Sequence, residues 1–440
     1  MRREHAVSTP PHWLTPAGQS PLLRLAVLAA FIAATGLSAV RTFRNLHDPH
    51  AADPASLGLV DFHHVVYWPA VAFRAGINPY SAEYKETFPV NRQYPLYSPG
   101  MFLVGYPFAL FPLPAGNVVY FAASWALVIA LAASALAACR APCTRSNILG
   151  LATLILVSRP GHINLFLGQF TLPIVLGGLW ALVLARRRPW LAGLALALAT
   201  LKPTFGVPFV WLMLCRRDYR AAFIGVAVGG TLAIAGLLPF VAKDGWQPVV
   251  ASLRESQSLH VADPIVDPET TWTRLDALSL VAKVQPAPPA AWLEPVLAAA
   301  CLLLAGWAVW NTSNRPAGEG GDSLSALIIA AATLACIYHS TYDALLLVAP
   351  WTAASIGRLR EQLPAWLRPM LWCLLTIPAA NYVAAREVTS RLGIEDPLWT
   401  AVTAVNSLCV VLTLVFASGA ALLSAPRYRS AGSPVQSAEG

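Results

Sequence analysis

Long apolar runs parted by short polar breaks govern what this chain can fold into. Segments 22–40, 116–138, 221–241, 291–310 and 398–423 carry at most one charged residue each. A bilayer core of roughly 30 Å takes about 20 apolar residues as a helix. Lipid offers the backbone no hydrogen-bond partner, so only helices and closed barrels can span it. Charged residues make up 12% of the 440, against about 25% in soluble domains. The expected class is an all-α integral membrane protein.

The breaks hold the basic residues: Arg140, Arg145, Arg186–Arg188, Arg216, Arg217, Arg220, Arg358, Arg360, Arg368, Arg427 and Arg429. If these breaks are cytoplasmic, the positive-inside rule is met throughout. The net charge of +8 is thus spread over many loops, a poor match to a nucleic-acid footprint. Acidic residues gather in two other regions, with Asp48, Asp53, Asp61, Glu83 and Glu86 in one and Asp244, Glu255, Asp263, Asp267, Glu269 and Asp276 in the other. Alternating the runs gives about 12 spans with both ends inside. Residues 1–21 read as a cytoplasmic tail, 22–424 as one polytopic domain, and 425–440 as a disordered tail. Within the domain, 41–114 is a long first outer loop and 242–290 a second. Tyr67–Ala75 and Ser98–Phe111 read as interfacial helices, the latter alternatively re-entrant. Arg159–Asn164 reads as a short outer turn. None of the seven cysteines falls in the two large outer regions, so neither disulfides nor a cysteine zinc site is expected.

Polar residues at the outer ends of apolar runs are the candidates for chemistry. Asp61 leads them. Phe62, Val65, Val66, Tyr67 and Trp68 follow it, so it packs against an apolar surface rather than floating in a loop. Burial of that kind raises a carboxyl's pKa unless it is paired, which suits a general base. His63 and His64 are partners of Asp61, head-group contacts, or bystanders. Gly76-Ile77-Asn78-Pro79-Tyr80 punctuates a turn. Arg92, Tyr94 and Tyr97 form a second cluster, fit for a phosphate and for stacking on a sugar, though interfacial anchoring explains tyrosines equally well. Gln169 at the end of a span bonds a sugar or a neighbouring helix. Lys202, followed by Pro203, either meets a phosphate or snorkels. Tyr338-His339-Ser340-Thr341-Tyr342-Asp343 places His339 and Asp343 four apart, on one face of any helical turn. It binds an acceptor or ties helices together.

Together these blocks resemble the polyprenyl-phosphate-mannose-dependent mannosyltransferases of glycosyltransferase family 87, which have the GT-C fold. The resemblance rests on Asp61-Phe62…Tyr67…Gly76-x-Asn78-Pro79-Tyr80, then Tyr94-Pro95-Leu96, then Gly168-Gln169 with Gly193…Leu201-Lys202-Pro203 and Arg216-Arg217, and finally Tyr338…Tyr342-Asp343 running into Ala344–Pro350. The family often has a double proline in the second block, and usually proline where Ile337 stands.

The resemblance implies a sugar, mannose first, moved from a polyprenyl phosphate to a lipid or glycan acceptor, with inversion. It makes Asp61 the base. Lys202, Arg92 and Arg159 become candidates for the phosphate. His63, His64, Tyr67, Tyr80, Tyr94, Gln169, His339, Tyr342 and Asp343 become candidates for sugar and acceptor. No cofactor or divalent metal is expected, and the partners are the donor, the acceptor and membrane lipids, not nucleic acid. The setting implied is a bacterial plasma membrane with the site on its extracytoplasmic face. An arabinofuranosyl or other pentosyl transferase and a non-catalytic lipid-sugar flippase are the rival readings.

Overall fold

A computed structural model describes residues 14–46, 57–90, 93–94, 97–285, 287–313, 321–356, 359 and 362–423. Within them the chain is helical, without a β-strand, and Arg274 and Ser340 form an isolated bridge. α1 (Pro21–Arg44) leads to the segment that carries Asp61. A six-residue π-helix, Phe62–Tyr67, then runs directly into α2 (Trp68–Ala75). The short α3 (Ala82–Thr87) and α4 (Gly100–Gly105) and a 3-10 turn at Phe108–Leu110 complete the first polar region. The apolar series follows as α5 (Leu113–Ala138), α6 (Arg145–Val157), α7 (Arg159–Leu167), α8 (Thr171–Leu184), α9 (Pro189–Thr200), α10 (Pro203–Cys215) and α11 (Tyr219–Asp244). α12 (Trp246–Val261) and α13 (Ala277–Val284) occupy the second polar region. α14 (Leu293–Ser313), α15 (Gly321–Cys336), a 3-10 segment at Thr341–Leu347, α16 (Val348–Ser355), α17 (Leu367–Ala380), α18 (Arg386–Arg391) and α19 (Leu398–Leu423) end the order.

Local chemistry explains several boundaries. Proline opens α1, α9 and α10, where its missing N–H would have had no helical partner anyway. The side chains of Ser20, Thr144 and Ser158 accept from backbone N–H groups of the first turns of α1, α6 and α7, as N-caps do. The expected turn at Arg159–Asn164 is instead the start of α7, bent by 76° from α6. Extended Ser158 (ψ 150°) ends α6 and caps α7, and Pro160 sits in the first turn of α7, where a helix tolerates proline. The second polar region, expected as a loop, holds two helices.

Among the described residues, five helices are long and apolar enough to cross a bilayer: α1, α5, α11, α14 and α19, or six spans if α6 with α7 counts as one. Shorter apolar helices, α8, α9, α10 and most of α15, pack among them. Leu22, Ile32, Phe223, Ile234 and Trp307 stand exposed on the outside, an apolar exterior that lipid would cover. Small residues let the bundle close up. Gly225 and Gly229, four apart in α11, lie against Leu196 and Thr200 of α9, where a Cβ would fall 2.6 and 2.1 Å from their side chains. This close approach is the small-residue packing typical of membrane helices. It fixes the end of α9, and with it Leu201 and Lys202, against the first polar region. There the Ser98 N–H donates to the Leu201 carbonyl at 2.7 Å. Ser98–Phe111 is broken into α4 and a 3-10 turn, with Met101 and Phe102 fully buried against the bundle.

Candidate functional site

Asp61 stands at the start of the π-helix, half-buried. Two residues earlier, Leu59 has φ +58° and is fully buried. A bulky residue in the left-handed region costs of order 1–3 kcal/mol and persists only where its surroundings hold it. Here the Leu59 N–H donates to the Phe166 carbonyl at 2.7 Å, and the His63 N–H returns to the Leu59 carbonyl at 3.0 Å. Phe62 stacks on Tyr120 with centroids 4.1 Å apart. His63 Nε2 pairs with Asn117 Oδ1 at 2.8 Å. The turn between α7 and α8 closes over the other side, and the Gln169 side-chain amide donates to Asp61 Oδ2. Neighbours on several elements therefore fix the direction of this carboxylate.

A second carboxylate is placed very differently. Asp343 is fully buried in the 3-10 segment Thr341–Leu347. Lys202 Nζ donates to both its oxygens, at 3.0 and 2.9 Å. Thr171 Oγ1 donates to Oδ1 at 3.0 Å, and His339 Nδ1 and the Ser340 N–H reach Oδ2 at 2.9 and 3.1 Å. Burial alone would push this carboxyl up, but Lys202 and His339 outweigh it and bring it down to about 2. Asp343 is thus a fixed negative charge and a poor base. His339 Nε2 faces the Thr204 carbonyl at 3.2 Å. Both ring nitrogens therefore face oxygen acceptors.

Burial above all, with the nearby negative charges of Asp343 and Asp61 as lesser causes, holds the phenols of Tyr97 and Tyr342 well above the usual tyrosine range. The Tyr342 ring also lies 5.1 Å from Lys202 Nζ, and its carbonyl accepts from Asn164 Nδ2 at 2.9 Å. Asp61, Gln169, Tyr97, Tyr342, Lys202, Asp343 and His339 form one neighbourhood, drawn from five parts of the chain.

The remaining expected residues fall outside this neighbourhood or support it. Lys202 neither snorkels nor stands open to solvent: it is 2% exposed and ion-paired. Arg159 is 1% exposed, and its guanidinium donates to the Asn381 and Ala384 carbonyls at 3.0 and 3.1 Å. Arg92 lies outside the described residues. His64 is half-buried. The Tyr67 hydroxyl donates to the Phe111 carbonyl at 2.9 Å, and that of Tyr80 to the Tyr97 carbonyl at 2.8 Å. Tyr94 is buried between Tyr80 and Phe102, with centroids 5.5 and 5.4 Å away. Asn117, Asn164 and Thr171 were missed from the sequence. The two asparagines had a signal, an amide within an apolar stretch; Thr171 had none. Among the described residues no three His, Cys, Asp or Glu side chains are grouped to hold a metal ion.

Compared with known families, residues 96–337 match the sequence model of glycosyltransferase family 87. The matched stretch holds Tyr97, Gln169, Thr171 and Lys202 and ends just before His339, while Asp61 precedes it. No curated protein matches the chain.

Proposed function

The chain belongs to glycosyltransferase family 87 and is a membrane glycosyltransferase; from that premise we propose that it moves mannose from a polyprenyl phosphate to a hydroxyl of a lipid or glycan acceptor, on a GT-C bundle whose site faces the extracytoplasmic side. The observation that carries the reading is the contrast between its two carboxylates. Asp343 is enclosed by donors and stays ionised; Asp61 is half-buried and accepts from Gln169.

In the proposed step Asp61 takes the acceptor's proton. The acceptor oxygen bonds to the anomeric carbon as the bond from that carbon to the phosphate oxygen breaks, and the lipid phosphate leaves with the electron pair. One displacement inverts the centre. Lys202, the buried cation beside the site, acts on the leaving phosphate through space rather than by direct contact. No divalent cation takes part.

Full-length protein in lipid nanodiscs, given radiolabelled polyprenyl-phosphate mannose and a total lipid extract, tests this. Wild type is expected to transfer label with or without chelator. Asp61→Asn is expected to lose about 10²–10⁴-fold in rate. Equal transfer by Asp61→Asn removes Asp61 as the base, and loss of transfer on chelation brings in a metal.

A further inference from the structure

Two turns bring arginines together at one end of the bundle. The turn between α8 and α9 holds Arg186, Arg187 and Arg188, and the turn between α10 and α11 holds Arg216, Arg217 and, one residue on, Arg220. Packing sets the turns side by side. Arg216 donates to the Leu182 carbonyl of α8 at 2.6 Å, and Arg186 Nε lies 4.0 Å from the Asp218 carboxylate. A Cβ on Gly193 of α9 would stand 3.2 Å from the Ala221 carbonyl of α11. Asp218 is the one acid in 186–188 and 216–220. It is buried and takes the Arg216 guanidinium. Arg187, Arg188, Arg217 and Arg220 are exposed.

Arg217 stands in an unusual backbone position, with φ +69°. Its N–H donates to the Leu214 carbonyl and the Asp218 N–H to the Met213 carbonyl, each at 2.9 Å. Glycine usually closes a helix in that pattern. With arginine there instead, the guanidinium lies over the Trp310 ring near the end of α14, 4.1 Å from its centroid. Trp190, Tyr219 and Trp310 are all exposed at this end. Such rings sit at the headgroup level of a bilayer, so the arginines stand at the depth of lipid phosphates. Basic pockets between helices at that depth suit anionic head groups.

We infer that Arg187, Arg188, Arg217 and Arg220 form a binding site for the phosphate of an anionic phospholipid. The site is separate from the sugar-transfer neighbourhood, because Lys202 joins α9 and α10 at their opposite ends. It does not depend on the role of Asp61.

Basic turns also orient a membrane protein without binding any lipid in particular, so the test needs a matched pair elsewhere. Arg140 closes α5 through the same two bonds, with φ +52°, and Arg140 and Arg145 are both exposed. Full-length protein in neutral detergent is titrated with phosphatidylglycerol or phosphatidylcholine, and bound lipid is read by native mass spectrometry. Wild type is expected to hold phosphatidylglycerol more tightly than phosphatidylcholine by about tenfold or more. Arg217→Gln with Arg220→Gln is expected to weaken phosphatidylglycerol binding about thirtyfold and to leave phosphatidylcholine binding unchanged. Arg140→Gln with Arg145→Gln is expected to bind both lipids as wild type does. Equal binding of the two lipids by wild type, or equal weakening in both double variants, overturns the site. Displacement of phosphatidylglycerol by millimolar inorganic phosphate assigns the arginines to a free anion and overturns the lipid reading.

Discussion

Lys202 and Asp343 meet at 2.9 Å with 2% and 0% of their side chains exposed. Removing two charges from water is expensive, and only close pairing offsets it, so losing one partner harms more than losing both. Lys202→Met is expected to cost about 3–5 kcal/mol, and adding Asp343→Asn to recover part of that loss, measured by chemical denaturation in one detergent. Acid acts on the same pair. The Asp343 carboxyl lies at about 2 in the fold against its ordinary 3.8. Its contribution is therefore complete above the ordinary value and is lost as pH falls from there through about 2. Both residues stood out in the sequence, because charge is rare beside apolar helices. Their partnership did not, since they lie 141 residues apart and only the folded bundle joins them. A lysine at a helix junction looks alike whether it meets solvent, phosphate or a carboxylate.

The turn joining α7 to α8 sets the Asp61 region as an element. Gly168 caps α7 at φ +70°, and a Cβ there would lie 2.7 Å from Phe62 Cβ, next in chain to Asp61. Gly76, which ends α2, has a similar φ of +75° but nothing within 4 Å of a Cβ. Alanine strains both backbones by about 1 kcal/mol, yet only Gly168→Ala also pushes the segment that bears the acid. Gly76→Ala is expected to lose stability alone. Gly168→Ala is expected to lose transfer activity by at least a further tenfold, since small misplacements of a reacting group are costly. Melting temperature and initial rate on the same preparations separate the two effects. Gly168-Gln169 was visible in the sequence as a pair; its grip on Asp61 was not. Hydropathy likewise placed the apolar stretch of α6 but could not give the 76° angle between it and α7, because composition carries no direction.

Across the whole molecule, arginines gather in the short breaks and acidic residues in two longer polar regions. If the arginines face the cytoplasm, the exposed Cys143 after α5 lies there too. A variant keeping only Cys143 is expected to react with a membrane-impermeant maleimide in inverted vesicles and not in intact spheroplasts. A cysteine introduced at the exposed Gln257 of α12 is expected to show the reverse. Labelling of both from one side would overturn the orientation and the extracytoplasmic site with it. The apolar segments were legible because lipid imposes length and composition on them. The helices of the second polar region were hidden, because neither rule applies outside the hydrocarbon.

The π-helix after Asp61 has a further meaning. Its closing bond runs from the Trp68 N–H to the His63 carbonyl, one residue wider than an ordinary turn. Successive residues of a regular helix point about 100° apart. One extra residue in that turn therefore sets the compass heading of the acid independently of α2, whose Pro69, Ala70 and Ala72 stay wedged in the bundle. The aim of the carboxylate is written as a residue count rather than as a rotamer. A chain one residue shorter here would build the same wall and point its acid at a different neighbour.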